Sequence, residues 1–402
     1  MILRDFSTTA KLIIHEVFLI FTTLKTRKIA YLSSVDPNDK RAWSGTHFSI
    51  LSTLRKSVGD VEVLGPYNPL IETYIGKALT GISQKISGKR YDYRHSHLLS
   101  KSYAKYFGDC LKKENFDCIV APAASCEIAH LETKIPIFYI SDTTFKRSLG
   151  YHKALSNLTS ISEKAANEIE SMALQKSTYV IVSSEWAAES VLKDYGIEEN
   201  KIRVIPFGPN MENLPDINNL KTDINSNQIE ILFPAVYWEN KGGDIAVNCL
   251  KILKENNINA RLMVVGCTPP EKHRSIEGLE FIPYLNKNES IQLKKLQELF
   301  FRSDFLILPT RFDCTPVVFC EASAFGLPSL CTDTGGVRGH IKEGLNGFLF
   351  DYKDDGQAYA KKIIELISNK NQYFELRETS RKMFEEKLNW ENWASEFKKL
   401  IN

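Results

Sequence analysis

Short apolar runs alternate along the chain with longer segments that have helical composition. Such runs, bounded by turn residues, are typical of strands buried in a parallel sheet. The first set of predicted strands covers residues 28–33, 61–64, 118–121, 137–140 and 179–183, and the second covers 231–234, 261–265, 280–282, 305–308 and 329–331. The alternation predicts consecutive βαβ units and therefore an α/β fold.

The two sets of strands are separated by a segment with the composition of a linker. Residues 204–219 are rich in proline and glycine, which interrupt regular structure. A chain of 402 residues is long enough to bury two ordinary cores. We therefore predict an N-terminal extension at 1–27, a first Rossmann-like domain at 28–206 and a second at 207–385.

The most informative stretch, residues 308–336, places two acidic residues around a turn that leads into a helix. Asp313 follows an apolar strand, and Glu321 lies in a segment of helical composition at 317–325. Loop amides and the positive end of the helix would face the crevice where α/β sheets bind phosphorylated ligands. Glu321 could accept hydrogen bonds from a vicinal diol. The alternative is a solvated aspartate and a glutamate on a helix face.

The spacing of this stretch resembles the signature of the family-4 retaining glycosyltransferases. That signature is an acidic residue, seven others and a glutamate, followed by Ala-x-Ala-x-Gly-x-Pro and a Gly-Gly turn. Its counterparts here are Asp313, Glu321, Ala322, Ala324, Gly326, Pro328, Gly335 and Gly336. The first acid of the family is usually glutamate, so Asp313 reaches one methylene less far.

The resemblance covers the chain from residue 28 to the C-terminus and implies the GT-B fold, two Rossmann-like domains facing each other across a cleft. The first domain would bind the acceptor and the second the nucleotide-sugar donor. In this family the last helix crosses back onto the first domain. Residues 386–402 carry an apolar stripe for that purpose, formed by Trp390, Trp393 and Phe397.

A second motif follows the predicted strand 231–234. Lys241 and Gly242 stand at a strand-to-helix turn, where glycine lets the backbone approach a diphosphate and the ammonium neutralises it. The family places its phosphate-binding Lys-Gly pair here, but the arginine usual five residues earlier is Val236. One cationic contact is then missing, or it is supplied from elsewhere, with Arg311 and Arg338 as the candidates. For Lys241 alone, the alternative is an exposed turn lysine.

The first domain contributes further candidate site residues. Gly45 precedes a predicted helix at 47–56, as the glycine loop of the family does, and would let the backbone approach the donor. Asp142 stands near the position of a family histidine that contacts the donor sugar, and a helix N-cap explains it equally well. Ser184 is predicted to be an N-cap. The remaining expected donor-binding residues are Thr315, Pro316, Val317, Val318 and Tyr284.

Composition narrows the function classes. The chain is 43% hydrophobic and 25% charged with a net charge of +2, so it is globular and carries no field that favours nucleic acid. Its eight cysteines contain no C-x-x-C pair, which favours reduced thiols in a cytosolic protein over disulfides or zinc. His95 and His97 resemble a pair of metal ligands, but two histidines at this spacing on a loop or helix are more often ordinary surface residues. No Asp-x-Asp motif is found, and we expect no metal.

Two segments raise the question of a membrane. Residues 12–24 are apolar but contain His15 and Glu16 and are too short to span a bilayer. Flanking basic residues would suit an interfacial helix on anionic lipid, and a helix packed on its own domain or on an oligomeric partner is the alternative. The lysines and arginines between residues 77 and 113 would line an acceptor groove, touch a membrane or form a solvated helix face.

The resemblance implies a retaining, metal-independent hexosyltransferase of the cytoplasm or the inner membrane face. It would move a sugar from a nucleotide-diphosphate donor to a glycan or lipid-linked acceptor in bacterial-type surface polysaccharide or glycoconjugate synthesis. Asp313, Lys241 and Asp142 would be its catalytic residues. A sugar-nucleotide epimerase or hydrolase of the same fold, and a catalytically weakened binding subunit, are the alternatives. The base, the sugar, the acceptor and the oligomeric state stay open.

Overall fold

In the computed structural model, residues 27–151, 155–221, 224 and 227–401 are described. They form two parallel six-stranded sheets. The first has the strand order β2-β1-β3-β4-β5-β6, with β1 Lys28–Leu32, β2 Asp60–Leu64, β3 Cys118–Pro122, β4 Ile137–Ser141, β5 Tyr179–Val182 and β6 Ile202–Val204. The second has the order β12-β11-β10-β7-β8-β9, with β7 Ile229–Ala235, β8 Ala260–Gly266, β9 Leu279–Pro283, β10 Phe305–Leu308, β11 Ser329–Thr332 and β12 Gly347–Phe350. The α/β prediction is confirmed.

Helices connect the strands and cover both faces of each sheet. In the first half of the chain they are α1 Thr46–Ser57, α2 Leu70–Ser87, α3 His97–Leu111, α4 Ser125–Ile128, α5 Phe145–Ser148, α6 Ser160–Lys176 and α7 Glu185–Tyr195. In the second half they are α8 Gly243–Glu255, α9 Ser290–Arg302, α10 Val318–Ala324, α11 Gln357–Ser368, α12 Lys370–Glu386 and α13 Trp390–Ile401. Ser184 caps α7 as predicted, because its hydroxyl accepts a hydrogen bond from the Ala187 amide at 3.3 Å.

Two strands were not predicted, and both lie at the edge of a sheet. The three residues of β6 are only half-buried, and the sequence interpretation had assigned Val204 to the linker. The other, β12, begins with glycine and is half-exposed at its end. Edge strands bury less apolar surface than central strands, so the apolar run that marks a strand is weakest there.

The last helix, α13, packs against the first sheet although it follows helices of the second. Trp393 and Phe397 are fully buried in the core on one face of the first sheet. Their rings stack with centroids 5.0 Å apart, and Phe397 meets Phe138 of β4 edge to face at 5.3 Å. Burial of two large aromatic side chains ties the end of the chain to the first sheet.

All eight cysteines are free, and six of them are buried, as the reduced interpretation requires. No helix among the described residues is both long enough and apolar enough to span a bilayer. The segment 12–24 lies outside the described residues.

Candidate active site

The two motifs of the second sheet meet in an ion pair. Asp313 follows β10, and its Oδ2 accepts a hydrogen bond from Lys241 Nζ. Lys241 stands in the turn after β7, where its amide donates to the Tyr237 carbonyl at 3.1 Å. Gly242 caps α8 with φ of 75°, and a Cβ there would lie 2.1 Å from the Pro309 carbonyl oxygen. Only glycine lets this turn lie against the end of β10 and bring the ammonium to the carboxylate.

The main chain of Asp313 is held from both sides of the cleft. Its amide donates to the hydroxyl of Tyr151, which comes from the first half of the chain, at 3.1 Å. Its carbonyl accepts from the Gly336 amide at 3.0 Å. Gly335 has φ of 55°, and a Cβ there would lie 2.1 Å from the same carbonyl oxygen. The Gly-Gly turn is therefore required by close approach to the loop that carries Asp313.

Asp142 lies in the loop after β4 and faces the same cleft. Trp43 donates from Nε1 to its Oδ2 at 3.1 Å. Burial raises the pKa of Asp142 to about 6, and the nearby charge of Asp313 adds to the increase. The N-cap explanation is wrong: Thr144 caps the helix that follows, accepting from the Arg147 amide at 3.2 Å. The Asp142 carboxylate therefore does not cap α5, but accepts a hydrogen bond from Trp43 and lies near Asp313.

The loop before α1 holds three consecutive residues in the left-handed region. Trp43, Ser44 and Gly45 have φ of 47°, 56° and 96°. Asn210 fastens this turn, because its Nδ2 donates to the Ser44 carbonyl at 3.1 Å and to Thr46 Oγ1 at 2.9 Å. Left-handed residues other than glycine are strained, and strain of this kind is concentrated at ligand-binding turns.

Glu321 is buried on α10 and accepts a hydrogen bond from Lys287 Nζ at 2.5 Å. Lys287 belongs to the loop after β9, and nothing in its local sequence marks it. It also lines a cavity of about 360 Å³ together with Gly45 and Asn210. Each acidic residue of the motif is therefore paired with a lysine from a different loop.

The loop from Thr315 to Val318 joins the two halves of the molecule. Thr315 Oγ1 and Ser183 Oγ form a hydrogen bond, and the side chain of Val317 is buried in the core of the first sheet. Val318 begins α10 and packs partly on the second core. Pro316 has no amide hydrogen to give. The amide of Val317 donates to the Thr315 carbonyl at 2.9 Å, so both its amide and its side chain already have partners within the protein.

Three further candidates, Tyr284, Arg338 and Arg311, make other contacts. Tyr284 is half-exposed near Arg41, whose pKa it helps to raise after the larger effects of Asp39. Arg338 binds Asp333 at 2.8 and 2.5 Å, and the Arg311 guanidinium lies 3.4 Å from the centre of the Tyr352 ring. Of the two arginines proposed to replace the cation missing at Val236, Arg338 is thus held by Asp333, whereas Arg311 keeps a buried nitrogen, Nη1, without a hydrogen-bond partner among the described residues.

The histidine pair forms ordinary polar contacts. His95 Nδ1 lies 2.8 Å from Asp92, and His97 Nε2 lies 3.0 Å from Glu168. Within the part of the chain that is described, no three His, Cys, Asp or Glu side chains group in a way that could hold a metal ion.

Sequence comparisons bear on both halves of the chain. The model for Glycosyltransferase Family 4 matches residues 62–213, and the model for glycosyl transferases group 1 matches residues 216–383. A Klebsiella pneumoniae protein, described as an uncharacterised 41.2 kDa protein in the cps region, is 23% identical over 205 residues. The match covers 50% of this chain and 54% of that protein. The chain thus spans about half the length of the curated relatives that it matches first.

Solved structures agree in fold. A glycosyltransferase from Rickettsia africae superimposes with a TM-score of 0.66 at 17% identity, covering 94% of this chain and 98% of that one. The Anabaena protein HepE, in complex with UDP and glucose, gives 0.60 at 14% identity, covering 93% and 98%. With both halves matched in order and the two sheets in place, the chain belongs to glycosyltransferase group 1, family 4, and has the GT-B fold.

Proposed function

We propose that the protein is a retaining hexosyltransferase that moves a sugar from a nucleoside diphosphate donor to a glycan or lipid-linked acceptor without a metal ion. The observation that carries this proposal is the ion pair of Lys241 and Asp313 at the carboxyl ends of two neighbouring strands of the second sheet. Ligands of α/β proteins bind at this edge.

The ion pair supports an exchange of partners when the donor binds. Lys241 is largely shielded from water, with 26% of its side chain exposed, and its charge requires a partner there. The diphosphate of a nucleotide sugar carries two negative charges and several acceptor oxygens, so it can compete with the single charge of Asp313 for the ammonium. As the diphosphate takes Lys241, Asp313 becomes available to the hydroxyls of the donor sugar.

Each remaining group has a place in the reaction. The diol of the nucleotide ribose displaces Lys287 from Glu321, and Asp142 accepts a hydrogen bond from the sugar. The bond from the anomeric carbon to the diphosphate breaks, the bond to the acceptor oxygen forms on the same face, and the acceptor proton passes to the departing phosphate. Lys241 and the loop amides around Thr315 and Val318 stabilise the charge that grows on the diphosphate.

The class of acceptor and the cellular compartment are inferred from the descriptions of relatives and from the cysteines. One relative is described as lying in a cps region, and the structural neighbour WaaG is described as involved in lipopolysaccharide biosynthesis. Eight free cysteines suit a reducing compartment. We therefore place the reaction in surface polysaccharide or glycoconjugate synthesis on the cytoplasmic side.

A donor and acceptor screen tests the proposal. UDP-, GDP- and ADP-sugars are each incubated with free oligosaccharides and with lipid-linked monosaccharides, and products are read by mass spectrometry. We expect one donor to release nucleoside diphosphate together with a product one hexose heavier, and Lys241→Ala to lose both. Release or rearrangement of the donor without acceptor would indicate a hydrolase or epimerase. Donor binding without turnover in every combination would indicate a binding subunit.

A further inference from the structure

The helix α2 is folded with its small polar side toward the protein. Its buried residue is Gly76, where a Cβ would lie 2.3 Å from that of Tyr93. Thr80 Oγ1 donates to the Tyr91 carbonyl at 2.7 Å, and Ser83 Oγ donates to the Lys89 carbonyl at 2.8 Å. Gly76 and Thr80 thus contact the segment around Tyr91 and Tyr93, while the Ser83 bond stays within the end of the helix and the turn that follows it.

The opposite side of α2 turns large apolar side chains to solvent. The α2 apolar face, as we define it, consists of Leu70, Ile71, Tyr74, Ile75, Leu79, Ile82 and Ile86, which are between 42% and 82% exposed. With about 100° of rotation per residue, these positions fall on one half of the helix surface. A contiguous exposed apolar patch of this kind marks a binding surface.

Basic side chains border this face. Lys77 and Lys85 belong to α2 itself, and Lys89 follows it directly; all three are exposed. The only acidic residue of α2 is Glu72. The long aliphatic side chain of an exposed lysine lets its ammonium reach a lipid phosphate while neighbouring apolar side chains are buried in the lipid.

We propose that the α2 apolar face docks on an anionic lipid bilayer. The helix lies parallel to the membrane plane, its apolar side chains enter the headgroup region, and Lys77 and Lys85 meet lipid phosphates. A second copy of the chain would bring the same lysines together. Charge complementarity therefore selects an anionic surface, and this binding does not depend on the proposed transferase activity.

Vesicle co-sedimentation of the full-length protein tests the proposal. Vesicles of phosphatidylcholine alone are compared with vesicles that also contain phosphatidylglycerol. The test variant is Ile71→Ser/Ile82→Ser/Ile86→Ser, and the matched control is Ile161→Ser/Ile217→Ser/Ile291→Ser, which removes three exposed isoleucines from other places. We expect salt-sensitive binding to the anionic vesicles, a loss of at least about tenfold in the test variant and no loss in the control.

A second variant, which changes charge and not apolar surface, keeps the proposal testable if the triple isoleucine variant does not fold. Lys77→Gln/Lys85→Gln should weaken binding to anionic vesicles by roughly 30-fold and reduce its salt dependence, since two lysines near the surface contribute about 2 kcal/mol together. Anionic vesicle binding that survives in both variants would overturn the proposal and assign the contact to another segment. Failure of the wild type to bind vesicles would also overturn the proposal. So would sedimentation of the wild type as a dimer, if only the apolar test variant sedimented as a monomer.

Discussion

Lys241 gives the sharpest prediction at the scale of single residues. Because its ammonium would stabilise charge that grows on the leaving diphosphate, Lys241→Ala should lower kcat by roughly a hundredfold or more. Lys241→Arg should recover little, since a planar guanidinium does not fill the site of a point charge. Steady-state rates check this, with Lys254→Ala as control because it breaks a surface ion pair on the following helix. Near wild-type turnover in Lys241→Ala would assign the leaving group to another cation.

Glu321 is expected to hold the nucleotide ribose. Glu321→Ala should weaken nucleoside diphosphate binding by roughly 1.5–3 kcal/mol, the scale of charge-assisted hydrogen bonds. Lys287→Met breaks the same ion pair but keeps the carboxylate, so its nucleotide affinity should stay within about threefold of wild type. Calorimetric titration of both folded variants decides the matter. Equal losses in the two would mean that the ion pair, and not the carboxylate alone, governs binding.

Asp142 should make stability depend on pH. Its pKa of about 6 in the folded protein lies above the unfolded value of about 3.9, so the folded state binds the proton more tightly. The stability of wild type relative to Asp142→Asn should therefore be highest near pH 4, fall as the pH rises to about 6, and change little above. Because the side chain is only partly buried, the loss should be on the order of 1–2 kcal/mol. Denaturant unfolding at several pH values measures it, and parallel curves for the two proteins would contradict the assignment.

At the scale of elements, the site is assembled by loops that approach each other across the cleft. Tyr151 makes the contact most open to test. In Tyr151→Phe the Asp313 amide loses its partner, so kcat should fall by roughly tenfold while the donor KM changes little. Tyr195→Phe is the control, because it also removes a hydroxyl with two hydrogen bonds, to Lys146 and Asn167. Equal kinetic losses in the two variants would indicate a general effect on folding.

The central strands and the two motifs were predictable, but the contacts that complete the site were not. Central strands leave continuous apolar runs, and Asp313, Glu321 and Lys241 stand at or after turns with a recognisable spacing. Tyr151 and Lys287 lie far from those motifs along the chain and meet them only in the fold. Their local sequences contain no pattern that distinguishes them from other loop residues, so sequence alone gave no signal.

At the scale of the whole molecule, the proposed reaction requires that the negative charge of the diphosphate be neutralised by groups of the protein. If Lys241 and the loop amides suffice, activity should persist in excess EDTA without added Mg²⁺ or Mn²⁺. The arginine missing at Val236 makes this a demanding test, since a recruited cation could replace it. Initial rates of one preparation in EDTA and with Mn²⁺ provide the measurement. A rate that collapses in EDTA and returns with Mn²⁺ would mean that the protein charges are insufficient.

The position of the bound nucleotide is the most direct test of the proposed function. Crystals grown with UDP, GDP or ADP would locate it. We predict density for one nucleotide in the cleft, with the ribose hydroxyls on Glu321 and the terminal phosphate on Lys241 Nζ, and with Lys287 moved away from Glu321. A nucleotide bound elsewhere, with both lysine–carboxylate pairs intact, would contradict the account.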